Sequence, residues 1–161
     1  MQKNQQKNQQ KTHKKNICEN RKARFNYFIE DKYEAGMVLK GTEVKSLRLG
    51  KANLKDSYAK IKNGEVFVYQ LHIAKCPFAY YGNHDPLRPR KLLLNKKEIK
   101  RLYSKVNEKG HSLIPLRMYF KEGKVKMVIA LAKGKRNYDK RETIRRRDDK
   151  RELDRAKRKE Y

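Results

Sequence analysis

SYAKIKNGEVFVYQL, residues 57–71, decides the fold. Asn63-Gly64 at its centre is the strongest turn signal in the chain, because both residue types accept positive φ. It divides Ser57 to Lys62 from Glu65 to Leu71 as the arms of a β-hairpin. A second run, LIPLRMYFKEGKVKMVIALA at 113–132, repeats the form about the step KEGK with Gly123, so that Leu113 to Phe120 faces Val125 to Ala132. Alternation turns Met118, Phe120, Val125, Met127 and Ile129 toward a core. Arg117, Tyr119 and Lys121 then point outward, and basic and aromatic side chains share one outer face.

Upstream, Tyr27 to Ile29 and Met37 to Leu39 read as strands joined through the polar stretch Glu30 to Gly36. A short helix follows: Thr42 suits its N-cap, Glu43 its positive end, Val44 and Leu47 share a face, and Gly50 ends it. Asn95 with Glu98 makes a capping box for a helix whose Ile99, Leu102, Tyr103 and Val106 recur at helical spacing until Gly110. PFAYYGNHDPLRP, residues 77–89, holds three of the four prolines and reads as an irregular loop. The expected fold is therefore mainly β with helices, a small antiparallel β-barrel resembling an oligonucleotide-binding fold, with disordered basic N- and C-terminal arms.

Composition sets the domain limits. Of 59 apolar residues 50 lie between Phe25 and Ala132, so residues 25–132 are expected to form the one β-barrel domain. Residues 1–24 are a Gln-, Asn- and Lys-rich arm of low complexity, and 133–161 are a basic tail. The net charge of +26 divides as +7, +12 and +7 over these segments, so all three favour a polyanionic partner.

No apolar run approaches a membrane span, and the start, MQKNQQKNQQKTHKKN, has no signal-peptide core, so a cytoplasmic protein without membrane contact is expected. Cys18 and Cys76 suggest reduced thiols rather than a disulfide framework or a metal site. His13, His72, His84 and His111 have no ligand spacing and read as surface or turn residues. No phosphate loop, nucleophile elbow or acidic cluster is present, so neither an enzyme nor a cofactor is implied.

Several residues are binding candidates. Lys45 and Arg48 lie on one side of the short helix, either as contacts to successive phosphates or as a solvated face. Glu34, a carboxylate in a basic protein, can accept from a base donor but repels phosphate; its alternative is a strand-end ion pair. Leu92 to Leu94 before Asn95 read as core plus a helix cap, or as an exposed leucine stacking on an unpaired base. In the tail, Gly134 supplies a hinge, Lys135 and Arg136 phosphate contacts, and Tyr138 a ring for stacking. Asp139 with Glu142 makes a second capping box, and Glu142–Arg146 and Asp154–Arg158 are favourable i,i+4 pairs. The tail is expected to be disordered when free and helical in an electronegative RNA channel, the alternative being a merely solubilising segment.

RFNYFI at 24–29, Glu34-Ala35-Gly36, GTEVKSLRLGKANLKDSY at 41–58, RKLLLN at 90–95 and ALAKGKRNYDKR at 130–141 together resemble the bacterial tmRNA-binding protein family, also called SsrA-binding protein or small protein B. This resemblance implies a non-catalytic factor that binds the tRNA-like domain of tmRNA and delivers it, with elongation factor Tu reached through tmRNA, to stalled ribosomes for trans-translation. It implies tmRNA contacts at Glu34, Leu93 and Asn95. It also implies that Gly134, Lys135, Arg136, Tyr138, Asp139, Lys140 and Arg141 enter the vacant mRNA channel past the small-subunit decoding centre. Where the family usually carries a second lysine this chain has Arg136, which keeps the charge and changes the donor geometry. A monomer is expected when the protein is free. The rivals from residue patterns alone are a structural ribosomal protein and a generic single-strand binder.

Overall fold

In the computed structural model, which describes residues 15–80, 82–107 and 110–159, both expected hairpins form. Strands β4 (Tyr58–Lys62) and β5 (Glu65–Tyr69) turn through Asn63 and Gly64 at φ 52° and 73°, with Lys62 opposite Glu65. Strands β8 (His111–Lys121) and β9 (Lys124–Gly134) turn through Glu122 and Gly123 at φ 50° and 73°. Together with β2 (Tyr27–Met37) and β7 (Arg90–Leu93) they make a ring of strands in the order β8-β4-β5-β7-β2-β9, closed by the β8–β9 pairing. All the pairings are antiparallel. Two short strands, β3 (Ala52–Asn53) and β6 (His72–Ile73), pair separately.

The ring encloses Leu47, Leu54, Val66, Val68, Leu71, Ile73, Leu92, Leu113, Met118, Met127, Ile129 and Leu131. Helix α3 (Lys96–Val106) adds Leu102 to this core, and its Asn95 N–H donates to Glu98 Oε2 at 3.0 Å, the back half of the expected capping box. A smaller cluster of Ala23, Ile114 and Ala132 lies outside the ring beneath the single-turn α1 (Ala23–Asn26), with Tyr27, Tyr58 and Leu116 against it. These residues alternate with those of the main core along the same strands, so β8 and β9 bury both faces.

Three expectations change here. Glu30 to Gly36 is not a connection: Tyr27 to Met37 is one strand of 11 residues, because its polar side chains alternate with half-buried ones. A bulge between Ile29 and Lys32 switches the faces, setting Ile29 opposite Ala132 and Lys32 opposite Ala130. Odd-numbered residues point outward before the bulge and inward after it, and this is what turns Glu34 out of the core. Second, the arm does not run to residue 24: β1 (Lys15–Glu19) pairs with β8, and the half-buried Ile17 and Cys18 pack on the main core. Burial pushes the Cys18 thiol up to about 11, against a hydrogen bond from the Met118 backbone that lowers it. Residues 1–14, including His13, lie outside the described residues. Third, β9 continues to Gly134, two rungs past the expected domain limit at Ala132, with Lys133 opposite Phe28 and Gly134 opposite Tyr27.

The tail also differs. Residues 137–159 are already one helix, α4 (Asn137–Lys159), where the sequence predicts disorder until a partner binds. Glu142 and Arg146 pair at 2.6 Å and Asp148 and Arg151 at 3.5 Å, each worth about 0.2 to 0.5 kcal/mol in an exposed helix. The Asp154–Arg158 pair and Tyr161 fall outside what is described. None of residues 137–156 of α4 is buried, and the helix meets the body beside α1.

Candidate nucleic-acid interface

Glu34 sits on the outer face of β2 with its next outward neighbour Gly36 opposite Leu93 of β7. The absent side chain at Gly36 leaves room for this leucine: a Cβ there would lie 3.3 Å from Leu93 Cβ. Leu93 is 51% exposed, whereas Leu92 on the opposite face is buried. The core reading thus holds for Leu92 and fails for Leu93. Asn95, two residues further on, is exposed at the start of α3. One step of two residues along a strand is about 7 Å, so the pairing brings a carboxylate, an exposed leucine and an exposed amide onto neighbouring positions.

Two partners hold the Glu34 carboxylate. The Tyr119 hydroxyl donates to Oε2, and Lys121 Nζ donates to Oε1 at 3.2 Å. The tyrosine hydrogen bond first, and then Lys121, hold its pKa below the ordinary carboxylate range against partial burial. Burial and this carboxylate push Tyr119 up to about 12. Tyr119 is on the outer face as the alternation requires, but it is only 3% exposed: the sheet, Glu34 and the Arg117 guanidinium, 5.3 Å from its ring centre, enclose it. It orients Glu34 rather than offering a stacking surface.

Lys45 and Arg48 are both exposed on α2 (Gly41–Arg48). This helix is anchored by a group invisible in the sequence pattern. Glu43, expected at the positive end of the helix, has no exposed side-chain surface and accepts from Arg88 Nε and Nη2 at 2.9 and 2.6 Å and from Arg90 Nε at 2.8 Å. The Lys40 N–H, at the position expected for Thr42, adds a bond of 2.7 Å. Burial raises the Glu43 pKa, but the bonds from Arg88, Lys40 and Arg90 outweigh it, leaving the carboxyl below its usual range. Arg90, itself wholly buried and lowered chiefly by that burial, also donates to the carbonyls of Leu71 and Pro86.

Thr42 is engaged instead by His84, which is buried rather than a surface or turn residue. Its Nε2 lies 3.1 Å from the Ile73 carbonyl and must donate there, so in the neutral imidazole Nδ1 receives the Thr42 hydroxyl at 3.0 Å. His111 pairs with Glu30 at 3.1 Å, and His72 is exposed. Among the described residues no group of three or more His, Cys, Asp or Glu could hold a metal ion, and no helix is long and apolar enough to cross a membrane.

At the tail root the Lys135 N–H donates to the Asn26 carbonyl at 2.9 Å, and its ammonium lies 4.9 Å from the centre of the Phe28 ring and 3.3 Å from Thr143 Oγ1. This lysine is therefore seated on the body, and Phe28 is the seat that the strand pattern missed. Arg136 is exposed, Tyr138 is 76% exposed, Arg141 is exposed and Lys140 half-buried. Asp139 does not pair with Glu142 as a cap; its Oδ2 reaches back to the Arg136 N–H at 3.0 Å, in the first turn where the dipole favours an acid. Gly134 ends β9 without positive φ, and a Cβ there would meet nothing within 4 Å, so neither conformation nor space demands glycine.

The chain matches the family model for SmpB protein over residues 17–159. It is 59% identical over 137 residues to the SsrA-binding protein of Geotalea uraniireducens, covering 85% of this chain and 91% of that one. The corresponding protein of Symbiobacterium thermophilum is 59% identical over 146 residues, 90% and 92% of the two chains. A chain from a structure described as "tmRNA-SmpB: a journey to the center of the bacterial ribosome" superposes with a TM-score of 0.64 at 49% identity, covering 80% of this chain and 94% of that one. With its ring of strands, its outward Glu34 and Leu93 and its basic tail, this chain belongs to the SmpB protein family.

Proposed function

We propose that this protein is a non-catalytic factor of ribosome rescue. It binds the tRNA-like domain of tmRNA through Glu34, Leu93 and Asn95 and delivers it, with elongation factor Tu engaged through tmRNA, to ribosomes stalled without a usable codon. The tail from Arg136 onward, beyond the last rungs of β9 and the seated Lys135, then enters the vacant mRNA channel past the decoding centre. The supporting observation is the half-exposed Leu93 over Gly36 beside an oriented carboxylate. Most of the basic surface can meet phosphate anywhere, but a leucine and an acid disfavour phosphate and suit a base or a ribose hydroxyl.

Each Glu34 oxygen has one intramolecular donor, so a second lone pair on each is left for a base N–H, while Leu93 offers an apolar surface for an unpaired base. In the tail, Arg136, Arg141 and the ring of Tyr138 face outward for phosphate and base contact. A helix of 23 residues is about 35 Å long, a rod that mRNA in the channel would exclude sterically. The ribosome supplies peptidyl transfer, so this protein positions and senses. It acts in the cytoplasm and is a monomer when free.

Truncation after Arg136, which keeps the last rungs of β9, separates the two roles. The dissociation constant for tmRNA should hardly change while tagging of stalled chains is lost. Equal loss of both would overturn the division of labour, and tmRNA binding no tighter than that of an unstructured RNA competitor would overturn the reading as a whole.

A further inference from the structure

The loop residues 74–80 and 82–89 take no part in the face just described, yet the stem of the loop is locked. Cys76 N–H donates to Asn83 Oδ1 at 3.0 Å and Asn83 Nδ2 returns a bond to the Cys76 carbonyl at 2.8 Å, pinching the segment between them. Ser46 Oγ donates to the Ala74 carbonyl at 2.6 Å, His84 holds Thr42, and Arg88 holds Glu43, so the loop is fastened along α2. What this stem presents is apolar: Phe78 is 64% exposed and Tyr80 91%. Aromatic rings left in water on a fixed support serve no packing purpose within the chain.

The elements to which this loop is fastened are cationic. Lys45 and Arg48 are exposed on α2, whose only carboxylate is the buried Glu43. Lys51 and Lys75, flanking the hydrogen bond from Ala74 N–H to the Lys51 carbonyl, are exposed too. The nearby Asp85 is exposed but receives the Leu87 N–H at 2.9 Å. Rings carried on a support with cations in excess of the one exposed carboxylate suit nucleotides, whose bases stack while their phosphates pair; an apolar protein groove would leave the excess cations unmatched.

The position in the ring selects the RNA. Arg90, bound to Glu43 of α2, and Leu93 of the tmRNA face lie at opposite ends of β7, three residues or about 10 Å apart. The tail root, opposite Tyr27, is separated from Met37, where β2 leads toward α2, by about 33 Å of strand. We propose that Phe78 and Tyr80, with Lys45 and Arg48, form a second subsite for tmRNA, in which unpaired bases stack on the two rings. This subsite rests on the tmRNA reading above and extends it to a loop that reading leaves unused.

The chain contains no tryptophan, so Phe78→Trp in the full-length protein gives a single reporter. Its emission should change on saturation with tmRNA. The double variant F78A/Y80A should keep the wild-type melting temperature and weaken tmRNA binding by about 5- to 30-fold without changing the slope of log K against log salt. Lys45→Ala should instead flatten that slope by about 0.7. If wild-type protein binds tmRNA and the double variant binds it equally well, the subsite is overturned while the function stands. Unchanged tmRNA affinity with weaker sedimentation on ribosomes would assign the tip to ribosomal RNA and also overturn it. A wild-type protein without tmRNA affinity would remove the function itself.

Discussion

Glu34 is surrounded on its face by Tyr119, Lys121 and Lys126, which together keep a carboxylate charged and pointed outward. Glu34→Gln should weaken tmRNA binding with little change in melting temperature, and an unchanged dissociation constant would remove this residue from the interface. The same variant has a spectroscopic signature. Burial is the larger cause of the raised Tyr119 pKa and Glu34 the next, so an ultraviolet titration should show the phenol falling from about 12 yet staying above the ordinary 10.0. Glu43 has the opposite character, a carboxylate with no solvent surface that serves two arginines. Glu43→Ala strands the wholly buried Arg90 guanidinium and should cost about 3 to 5 kcal/mol in urea denaturation, far more than any exposed pair on α4.

Among the elements, the two hairpins show how far local chemistry reaches. Asn63-Gly64 and Glu122-Gly123 adopt nearly the same pair of positive φ angles, but asparagine takes up that conformation at lower cost than glutamate. Glu122→Asn should therefore stabilise the protein by about 1 kcal/mol and raise the melting temperature by about 4 °C. An unchanged melting curve would show that the turn stores no strain. Both turns, the Asn95–Glu98 helix start and the alternation of β8 were legible because each depends on residues within a few positions of one another. Strand β2 was not: Glu30 to Gly36 looks like a polar connection until Val128, Ala130 and Ala132 of β9 are placed beside it and the bulge is counted. Nor could the pattern show that Lys135 is spent on Phe28, a contact between strand and tail made only once β9 returns beside β2.

For the molecule as a whole, the charge balance carries a pH prediction. Glu34, Glu43 and Asp31 all have pKa values lowered on folding, the last chiefly by the hydrogen bond from Lys105. Each contributes stability that is full above its unfolded value and is lost as pH falls through the folded one. Tyr119 acts in the other direction: its raised value contributes stability below pH 10.0 that is lost as pH rises toward about 12. Urea midpoints should therefore fall at both extremes, and a midpoint that rose on acidification below the carboxylate range would contradict these assignments. The sequence by itself determined the polyanionic partner, the two hairpins, the amphipathic α3 and the basic tail, since charge, turn chemistry and periodicity are local properties of the chain. Only the tertiary structure decided which of three consecutive leucines faces solvent, which glutamate is buried and which lysine is seated on the body. Those outcomes depend on which strand lies alongside which, and on whether a glycine or a guanidinium is waiting there.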